Sequence, residues 1–308
     1  MGAPDAATLL PTSAPRTTTR LYGRPVRVRV LGPLEIGGPD SSDGVPGTMR
    51  RRLLALLSTQ PGREMTVDEL VDGLWGDDAT ASSATTLQSH VARLRRDLPD
   101  AAMVQTGTTG YRLAVPAEDV DAVAFTEAVA RGRRALDAGD AVTASEELAA
   151  ALSWWRGPAY AEFVGCPALE AQSARLDALR IDAVEWLFAA ELERGDSAPP
   201  VAALEAFLRD HPTRESAWAL LVTALYRSGR QADALAAYRR AREHLLEEIG
   251  VEPGRELREL EARVLRQDPA LDPRGSARRD GRGAADHHRG RDRPASEPGP
   301  RPRGPRRR

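Results

Sequence analysis

Residues Ser83 to Leu98 read SATTLQSHVARLRRDL, which combines an apolar stripe and a cluster of arginines in one segment. The apolar residues recur at the spacing of one helical face, and they are Leu87, Val91, Leu94 and Leu98. A helix turns about 100° per residue, so its opposite face carries Thr85, Ser89, Arg93 and Arg96. The segment is therefore predicted to be a helix that is anchored in a core and presents arginine outward.

A β-hairpin is predicted directly after this helix. Residues 103–115 read MVQTGTTGYRLAV, two short β-rich runs around a glycine-containing turn. Ahead of the helix, residues 26–36 read VRVRVLGPLEI and alternate apolar and basic side chains until Gly32-Pro33, which predicts a small antiparallel sheet. A sheet, then helices, then a hairpin is the order of a winged helix-turn-helix domain, which reads DNA with its last helix.

Two further helices complete this first region. Residues 50–60, RRRLLALLSTQ, form the first, which Pro61-Gly62 ends. Thr66 and Glu69 have the spacing of a capping box, which opens a second helix that continues to Trp75. We therefore predict a winged-helix domain of α+β type over residues 25–115, and we expect it to fold by itself.

Residues 119–268 have the pattern of helices throughout. A glycine followed by a polar residue marks three turns, at Gly139-Asp140, Gly195-Asp196 and Gly229-Arg230. The last two turns lie 34 residues apart, the period of tetratricopeptide helix pairs, and a small residue follows two of the glycines as Ala144 and Ala234. The longer first interval predicts an irregular insertion around WWRGPAYAEF, residues 154–163, whose aromatic side chains we expect to fill the core.

The predicted fold class is therefore mainly α: a winged helix-turn-helix domain followed by an all-α, tetratricopeptide-like helical bundle. Residues 1–24 form a predicted disordered leader. Residues 269–308 form a predicted disordered tail, because 13 of these 40 residues are Pro or Gly and almost none is apolar.

The charge, the cysteine content and the lack of long apolar segments indicate the partners and the location of the protein. All 43 basic residues are arginine, which we attribute to the coding genome rather than to selection for guanidinium groups. Residues 116–268 hold 18 arginines and 28 acidic residues, a net charge of −10, which favours protein over DNA as the partner of the bundle. The single cysteine excludes an intrachain disulfide, and no segment has the composition of a signal peptide or the length of a transmembrane span. We expect a cytoplasmic, nucleoid-associated protein with no membrane partner.

Candidate DNA contacts lie mainly on the helix of residues 83–98. Arg93 and Arg96 can each give two hydrogen bonds to guanine or to phosphate, although a solvated helix face is the alternative interpretation. Further candidates near the helix start, where base edges are usually met, are Thr85, Gln88 and Ser89. Arg95 lies toward the flank. His90 is either a neighbour of DNA or a packed structural histidine.

Arg50, Arg51 and Arg52 are candidates for a different reason. They begin the first helix, where a cation opposes the helix dipole, and a bound phosphate would relieve that unfavourable arrangement. Plain solvation of the three guanidinium groups is the alternative.

The two regions together resemble the Streptomyces antibiotic regulatory protein family. The matching segments of the first half are LGPLEI, RRRLLALL, VDELVDGLWGDD, LQSHVARLRRDL and GYRL; those of the second half include WWRGPAYAEF, HPTRE and ALYRSGRQADALAAYRRAREHLLEEIGVEPGRELREL. Family members join an OmpR-type winged helix to a bacterial transcriptional activation domain. The resemblance implies an activator of a secondary-metabolite gene cluster that binds direct repeats in double-stranded promoter DNA, associates with itself there and recruits RNA polymerase holoenzyme.

The predicted wing departs from the family pattern. Family wings often carry an arginine before the Gly-Tyr pair, whereas this turn has Thr108 and Thr109 there and its nearby cation, Arg112, follows Tyr111. We therefore expect weak wing contacts, made by Arg112, by the hydroxyl of Thr108 and by backbone N–H groups on phosphate.

An enzyme and a protein-interaction scaffold are two alternative classes of function. The sequence has none of the H-E-x-x-H, G-x-S-x-G, G-x-G-x-x-G or Walker motifs, so we expect no enzymatic activity, no cofactor and no metal site. A protein-interaction scaffold that carries a degenerate winged helix is the stronger alternative. Repression by promoter occlusion is a further one, because the sequence does not give the sign of the effect.

Overall fold

The structure is a computed structural model, and it describes residues 20–21, 24–25, 28–37, 44–195 and 200–272. Among these residues the fold is mainly helical, with small sheets confined to the N-terminal half, which confirms the predicted fold class. No helix of the described part is long and apolar enough to cross a membrane.

The described residues of the N-terminal half form three α-helices and three small sheets. The helices are α1 (Thr48–Ser58), α2 (Val67–Trp75) and α3 (Ser83–Asp97). The first two sheets are antiparallel pairs, of β1 (Arg20–Leu21) with β2 (Arg24–Pro25) and of β3 (Val28–Arg29) with β4 (Glu35–Ile36). The third sheet has the order β5-β7-β6 and consists of β5 (Met65–Thr66), β6 (Val104–Thr106) and β7 (Gly110–Leu113).

Local sequence signals explain these elements. The Thr66 side chain accepts a hydrogen bond from the Glu69 N–H while the Glu69 carboxylate accepts one from the Thr66 N–H, so the predicted capping box begins α2. Gly76, with φ of +52°, follows the last residue of α2. In α3 the predicted stripe of Leu87, Val91 and Leu94 is buried, at 0 to 1% exposure.

The C-terminal half is a series of seven helices within the described residues. They are α4 (Asp121–Asp137), α5 (Ala141–Leu152), α6 (Pro167–Arg194), α7 (Val201–Asp210), α8 (Glu215–Arg227), α9 (Gln231–Ile249) and α10 (Arg255–Leu265). Gly139 and Gly229 have φ near +75°, at +78° and +73°, in the turns of the pairs α4–α5 and α8–α9. Ala144 and Ala234 are fully buried where these paired helices pack, as predicted for a tetratricopeptide-like bundle.

The apolar core does not divide at the predicted boundary between residues 115 and 119. One continuous cluster of buried side chains extends from Val28 to Leu187, and a second extends from Phe188 to Leu271. The first cluster therefore joins the winged helix to α4, to α5 and to most of α6. This shared core argues against the expectation that residues 25–115 fold by themselves, and the domain boundaries stay a prediction.

The structure describes only a few residues of the two ends that are predicted to be disordered. Most of the leader lies outside the described residues, but Arg20–Leu21 and Arg24–Pro25 form the β1–β2 pair. The predicted tail begins at residue 269; within the described part, Pro269–Leu271 form a 3-10 turn and the Leu271 side chain is 4% exposed, so these residues pack in the second core. Residues 273–308 lie outside the described part.

Candidate DNA interface

Helix α3 presents the candidate residues on one exposed face. Because Leu87, Val91 and Leu94 hold the opposite side of α3 in the core, the side chains of the outer face are fixed toward solvent. The exposed residues include Thr85, Gln88, Ser89, Arg93 and Arg96, as the sequence predicts. The Ser89 hydroxyl also contacts the Thr85 carbonyl oxygen, at 3.4 Å, within the helix.

Arg93 and Arg96 are available for a ligand. Neither guanidinium group makes a hydrogen bond or an ion pair with another described residue. Both side chains lie on the outer face of α3, so a duplex laid along this helix would meet two unpaired cations. A guanidinium in this position can bind a guanine edge or a phosphate through two parallel hydrogen bonds.

The guanidinium group of Arg95 is hydrogen-bonded within the fold, unlike those of Arg93 and Arg96. Its Nε donates to the Val104 carbonyl oxygen at 2.9 Å, and its Nη2 donates to the Thr106 hydroxyl at 2.8 Å. Both acceptors belong to β6, so Arg95 fastens the β6–β7 hairpin to α3. Arg95 therefore positions the wing relative to α3.

His90 is half-buried at the edge of the exposed face. Its ring centroid lies 6.1 Å from that of Trp75, and its Nδ1 is buried without a hydrogen-bond partner among the described residues. Burial lowers the pKa of His90, and the nearby charges of Arg93 and Arg50 lower that pKa further. The geometry favours the packed structural interpretation, with the imidazole neutral at neutral pH.

Helix α1 begins at Thr48, two residues before the predicted start, and the arginines Arg50, Arg51 and Arg52 near its N-terminus differ in their surroundings. Arg50 forms an ion pair with Asp97 at the end of α3, and its side chain keeps 22% exposure. Arg51 donates to both carboxylate oxygens of Glu162, at 2.6 and 2.7 Å, and to the Leu34 carbonyl oxygen at 2.9 Å.

Arg52 also donates to backbone oxygens, those of Leu74 at 3.1 Å and Val164 at 3.5 Å. Carboxylate and carbonyl oxygens within the fold thus bind the guanidinium groups of Arg51 and Arg52, although the buried Nε of Arg52 has no hydrogen-bond partner among the described residues, and the helix-dipole argument does not require a phosphate. Arg51 and Arg52 connect α1 to other segments of the fold, so the proposed DNA contacts do not include them.

A carboxylate that the sequence analysis missed organises the wing. The Glu64 Oε1 accepts hydrogen bonds from the Thr109 N–H at 2.5 Å, from the Gly110 N–H at 2.8 Å and from the Thr109 hydroxyl at 3.0 Å. These hydrogen bonds hold the pKa of Glu64 below its ordinary value. The expectation that wing N–H groups bind phosphate is therefore corrected for Thr109 and Gly110, whose N–H groups Glu64 occupies.

Two candidate side chains remain on the wing. Thr108 is exposed at the tip of the turn. Arg112 is exposed on β7 and donates to the Gln105 Oε1 from Nε at 3.2 Å and from Nη2 at 2.7 Å. Since Gln105 is its cross-strand partner, this pair holds the hairpin in register while the guanidinium stays accessible.

Comparisons with known proteins agree with the two halves. Residues 47–113 match the family model described as "Transcriptional regulatory protein, C terminal", and residues 120–265 match "Bacterial transcriptional activator domain". The chain is 32% identical to "Regulatory protein DnrI" of Streptomyces peucetius, over 81% of this chain and 96% of that protein. It is 35% identical to "Transcriptional regulator RedD" of Streptomyces coelicolor, over 81% of this chain and 73% of that protein.

A solved structure has the same fold. The Mycobacterium tuberculosis protein EmbR, solved in complex with a low-affinity phosphopeptide, superposes with a TM-score of 0.73 at 32% identity. The match covers 79% of this chain and 65% of that one. The two family models match the two halves in turn, both relatives align over 81% of the chain, and the chain therefore belongs to the Streptomyces antibiotic regulatory protein family of transcriptional regulators.

Proposed function

We propose that this chain binds promoter DNA sequence-specifically through α3 and activates a secondary-metabolite gene cluster. The observation that carries the proposal is the outer face of α3, where Arg93 and Arg96 are exposed and unpaired among the described residues. Thr85, Gln88 and Ser89 lie on the same face toward the helix start. A recognition helix that places such residues in the major groove can read base edges directly.

The remaining candidates take supporting roles in this proposal. Arg112 and Thr108 of the wing contact the phosphate backbone, and Arg50 reaches phosphate from the start of α1. Arg95 and His90 belong to α3 and position it, Arg95 against the β6–β7 hairpin and His90 against Trp75 of α2. Phosphate contacts of this kind set the register of the protein on the duplex and carry no sequence information.

The helical bundle is the proposed partner of the transcription machinery. Residues 116–268 have a net charge of −10, which repels DNA and favours contact with protein. We propose that the protein binds direct repeats as neighbouring copies, that it recruits RNA polymerase holoenzyme through the bundle, and that it acts on the nucleoid in the cytoplasm. The family to which the chain belongs supports this part of the proposal.

An electrophoretic mobility shift assay with a matched pair of variants tests the role of α3 in DNA binding. The probe is a duplex that the full-length protein selects from randomised DNA. Arg93→Ala should weaken binding to this duplex by about 1–3 kcal/mol and weaken binding to random DNA much less, because it removes a base contact. Arg239→Ala, which removes an exposed arginine of α9, serves as the control. Equal affinities of the two variants for the selected duplex would refute the role of α3.

Run-off transcription tests the sign of regulation. Purified RNA polymerase holoenzyme transcribes a promoter that carries the selected sequence, with and without the protein at saturating occupancy. An activator increases the transcript, and we expect this result. A decrease would identify a repressor that occludes the promoter, and failure to select any DNA sequence would favour the scaffold alternative.

A further inference from the structure

The insertion between α5 and α6, residues 153–166, makes a series of hydrogen bonds to the winged helix. At its start, the Arg156 N–H donates to the Leu31 carbonyl oxygen at 2.8 Å, and the Tyr160 N–H donates to the Val30 carbonyl oxygen at 2.9 Å. These backbone bonds add the insertion to the edge of the segment between β3 and β4. Gly32 permits the approach, because a Cβ there would lie 3.0 Å from the Arg156 Cβ.

Side chains strengthen the same contact. The Arg156 Nη1 lies 3.0 Å from the Pro33 carbonyl oxygen and 2.7 Å from the Glu35 Oε1. The Glu162 carboxylate accepts two hydrogen bonds from Arg51 of α1 and a third, at 2.6 Å, from the Leu34 N–H.

The first residue of α4 contributes to this contact as well. The Asp121 carboxylate is buried and accepts hydrogen bonds from the Val30 N–H at 2.7 Å and the Leu31 N–H at 3.2 Å. We call these groups of Asp121, Arg156 and Glu162, with their partners in residues 30–35 and Arg51, the clamp.

The clamp connects the bundle to α3 through a single helix, α1. Arg51 belongs to α1, and α1 packs on α3 through the shared core and through the ion pair of Arg50 with Asp97. On its other side the insertion continues into α5 and α6. The direction of the exposed face of α3 is therefore fixed relative to the bundle by hydrogen bonds and buried apolar contacts, with no flexible linker between them.

We propose, on the basis of the proposed function, that the clamp makes Arg156 and Glu162 positioning residues that determine which spacing of paired DNA sites the protein accepts. Each added base pair moves a second site by about 3.4 Å along the duplex and by about a tenth of a turn around it. Two copies with rigidly attached bundles can touch each other at one spacing only. Copies with loosely attached bundles reach each other over a range of spacings, as flexible linkers do.

A spacing series on DNA tests this proposal. The probes carry one or two copies of the selected sequence, the two copies at the preferred separation or with five base pairs inserted. The clamp variant is Arg156→Ala/Glu162→Ala, and the control is Arg242→Ala/Glu252→Ala, which removes an exposed ion pair of 2.6 Å outside the clamp. Glu162→Ala alone replaces the clamp variant if the double substitution does not fold.

The expected results differ between the one-site and two-site probes. All proteins should bind the one-site probe equally, because the face of α3 is unchanged. The wild type and the control should lose about tenfold in two-site affinity on insertion of half a turn, whereas the clamp variant should lose less than about threefold. Equal losses in all three proteins would overturn the proposal.

A distance measurement tests the clamp without DNA. Spin labels are attached to Ala92→Cys on α3 and Ala150→Cys on α5, both exposed positions, while the native Cys166 is 1% exposed. The wild type should give a narrow distance distribution and the clamp variant a broad one. Equal widths would overturn the proposal. Failure of the wild type to select DNA would refute the proposed function, and the distance distribution would still decide whether the clamp fixes the orientation.

Discussion

At the scale of single residues, the arginines of this chain differ in role by their partners alone. Arg93 is exposed and unpaired among the described residues, whereas Arg51 gives hydrogen bonds to Glu162 and to backbone oxygens. The protein has no lysine, so residue type cannot separate a DNA contact from a structural contact. The separation depends on which acceptor lies within reach of each guanidinium group.

Glu64 provides a prediction for the wing. Glu64→Ala should leave the Thr109 and Gly110 N–H groups without their acceptor, so both amides should exchange with deuterium faster than in the wild type. The carboxylate form is the acceptor and its folded-state pKa is lowered, so this protection should be present at neutral pH and lost as the pH falls through that lowered pKa. The control is Glu118→Ala, an exposed residue outside the wing. Unchanged exchange at both amides would contradict the role assigned to Glu64.

Asp121 provides a prediction about pH. Burial raises the pKa of Asp121 from 3.8 to about 6, against the hydrogen bonds from Val30 and Leu31 and the charge of Arg156, which lower it. Between these two values the folded state binds more protons than the unfolded state, so the contribution of Asp121 to stability falls as the pH rises through this window. Above about pH 6 its contribution is constant.

Asp121→Asn isolates this contribution. The free energy of unfolding of the wild type, minus that of Asp121→Asn, should decrease between about pH 4 and pH 6, the window given by the two pKa values. Urea unfolding at a series of pH values measures the difference, and the subtraction removes the titration of the other groups. A difference that rises over this window would show that the hydrogen bonds and Arg156 outweigh burial.

At the scale of elements, short-range signals were sufficient for the helices that have them. The capping box of Thr66 and Glu69 depends on residues three apart, and the buried stripe of α3 depends on a spacing of three or four residues. Both predictions are confirmed. Contacts between helices depend on residues far apart in the chain, and Gly132 of α4 is an example.

Gly132→Ala is predicted to destabilise the pair α4–α5. Helix propensity alone favours alanine over glycine by about 1 kcal/mol in a helix interior. A Cβ at residue 132, however, would lie 2.6 Å from the Leu148 Cγ, so the two helices must separate or repack. Overpacking of this kind costs about 1–3 kcal/mol, so after the opposing gain of about 1 kcal/mol in helix propensity we expect a net loss of up to about 2 kcal/mol in the free energy of unfolding, measured with urea. A variant more stable than the wild type would show that α5 adjusts at little cost.

At the scale of the whole molecule, the winged helix and the first part of the bundle share one core. Burial of Trp155, Tyr160 and Phe163 confirms that these aromatic residues of the insertion fill a core, and Trp154 packs against it partly buried. The cluster that these residues fill also includes Val30, Leu31 and the apolar side of α1.

Two truncations test where the C-terminal end of the fold lies. Truncation after Asp272 removes none of the described contacts, so the thermal midpoint should stay at the wild-type value. Truncation after Asp268 removes the buried Leu271 and the hydrogen bond from the Arg227 Nε to the Leu271 carbonyl oxygen, at 2.9 Å. We expect the shorter protein to unfold at a lower temperature, because loss of the buried leucine lowers the free energy of unfolding by about 1.5–3 kcal/mol. Equal midpoints would place the boundary at residue 268, as the sequence first indicated.

The sequence by itself determined the mainly helical fold class, the order of elements and the exposed arginine face of α3. Each of these follows from the repeat of apolar residues or from turn and capping residues within a few positions of one another. Only the tertiary structure decided that Arg51, Arg52 and Arg95 hold elements together, that Glu64 occupies the wing N–H groups, and that the insertion is bonded to residues 30–35. The partners in these contacts lie 9 to 130 residues apart in the chain, the longest separation being that of Tyr160 and Val30, and no periodicity of a single segment specifies which distant acceptor folding will bring to a given donor.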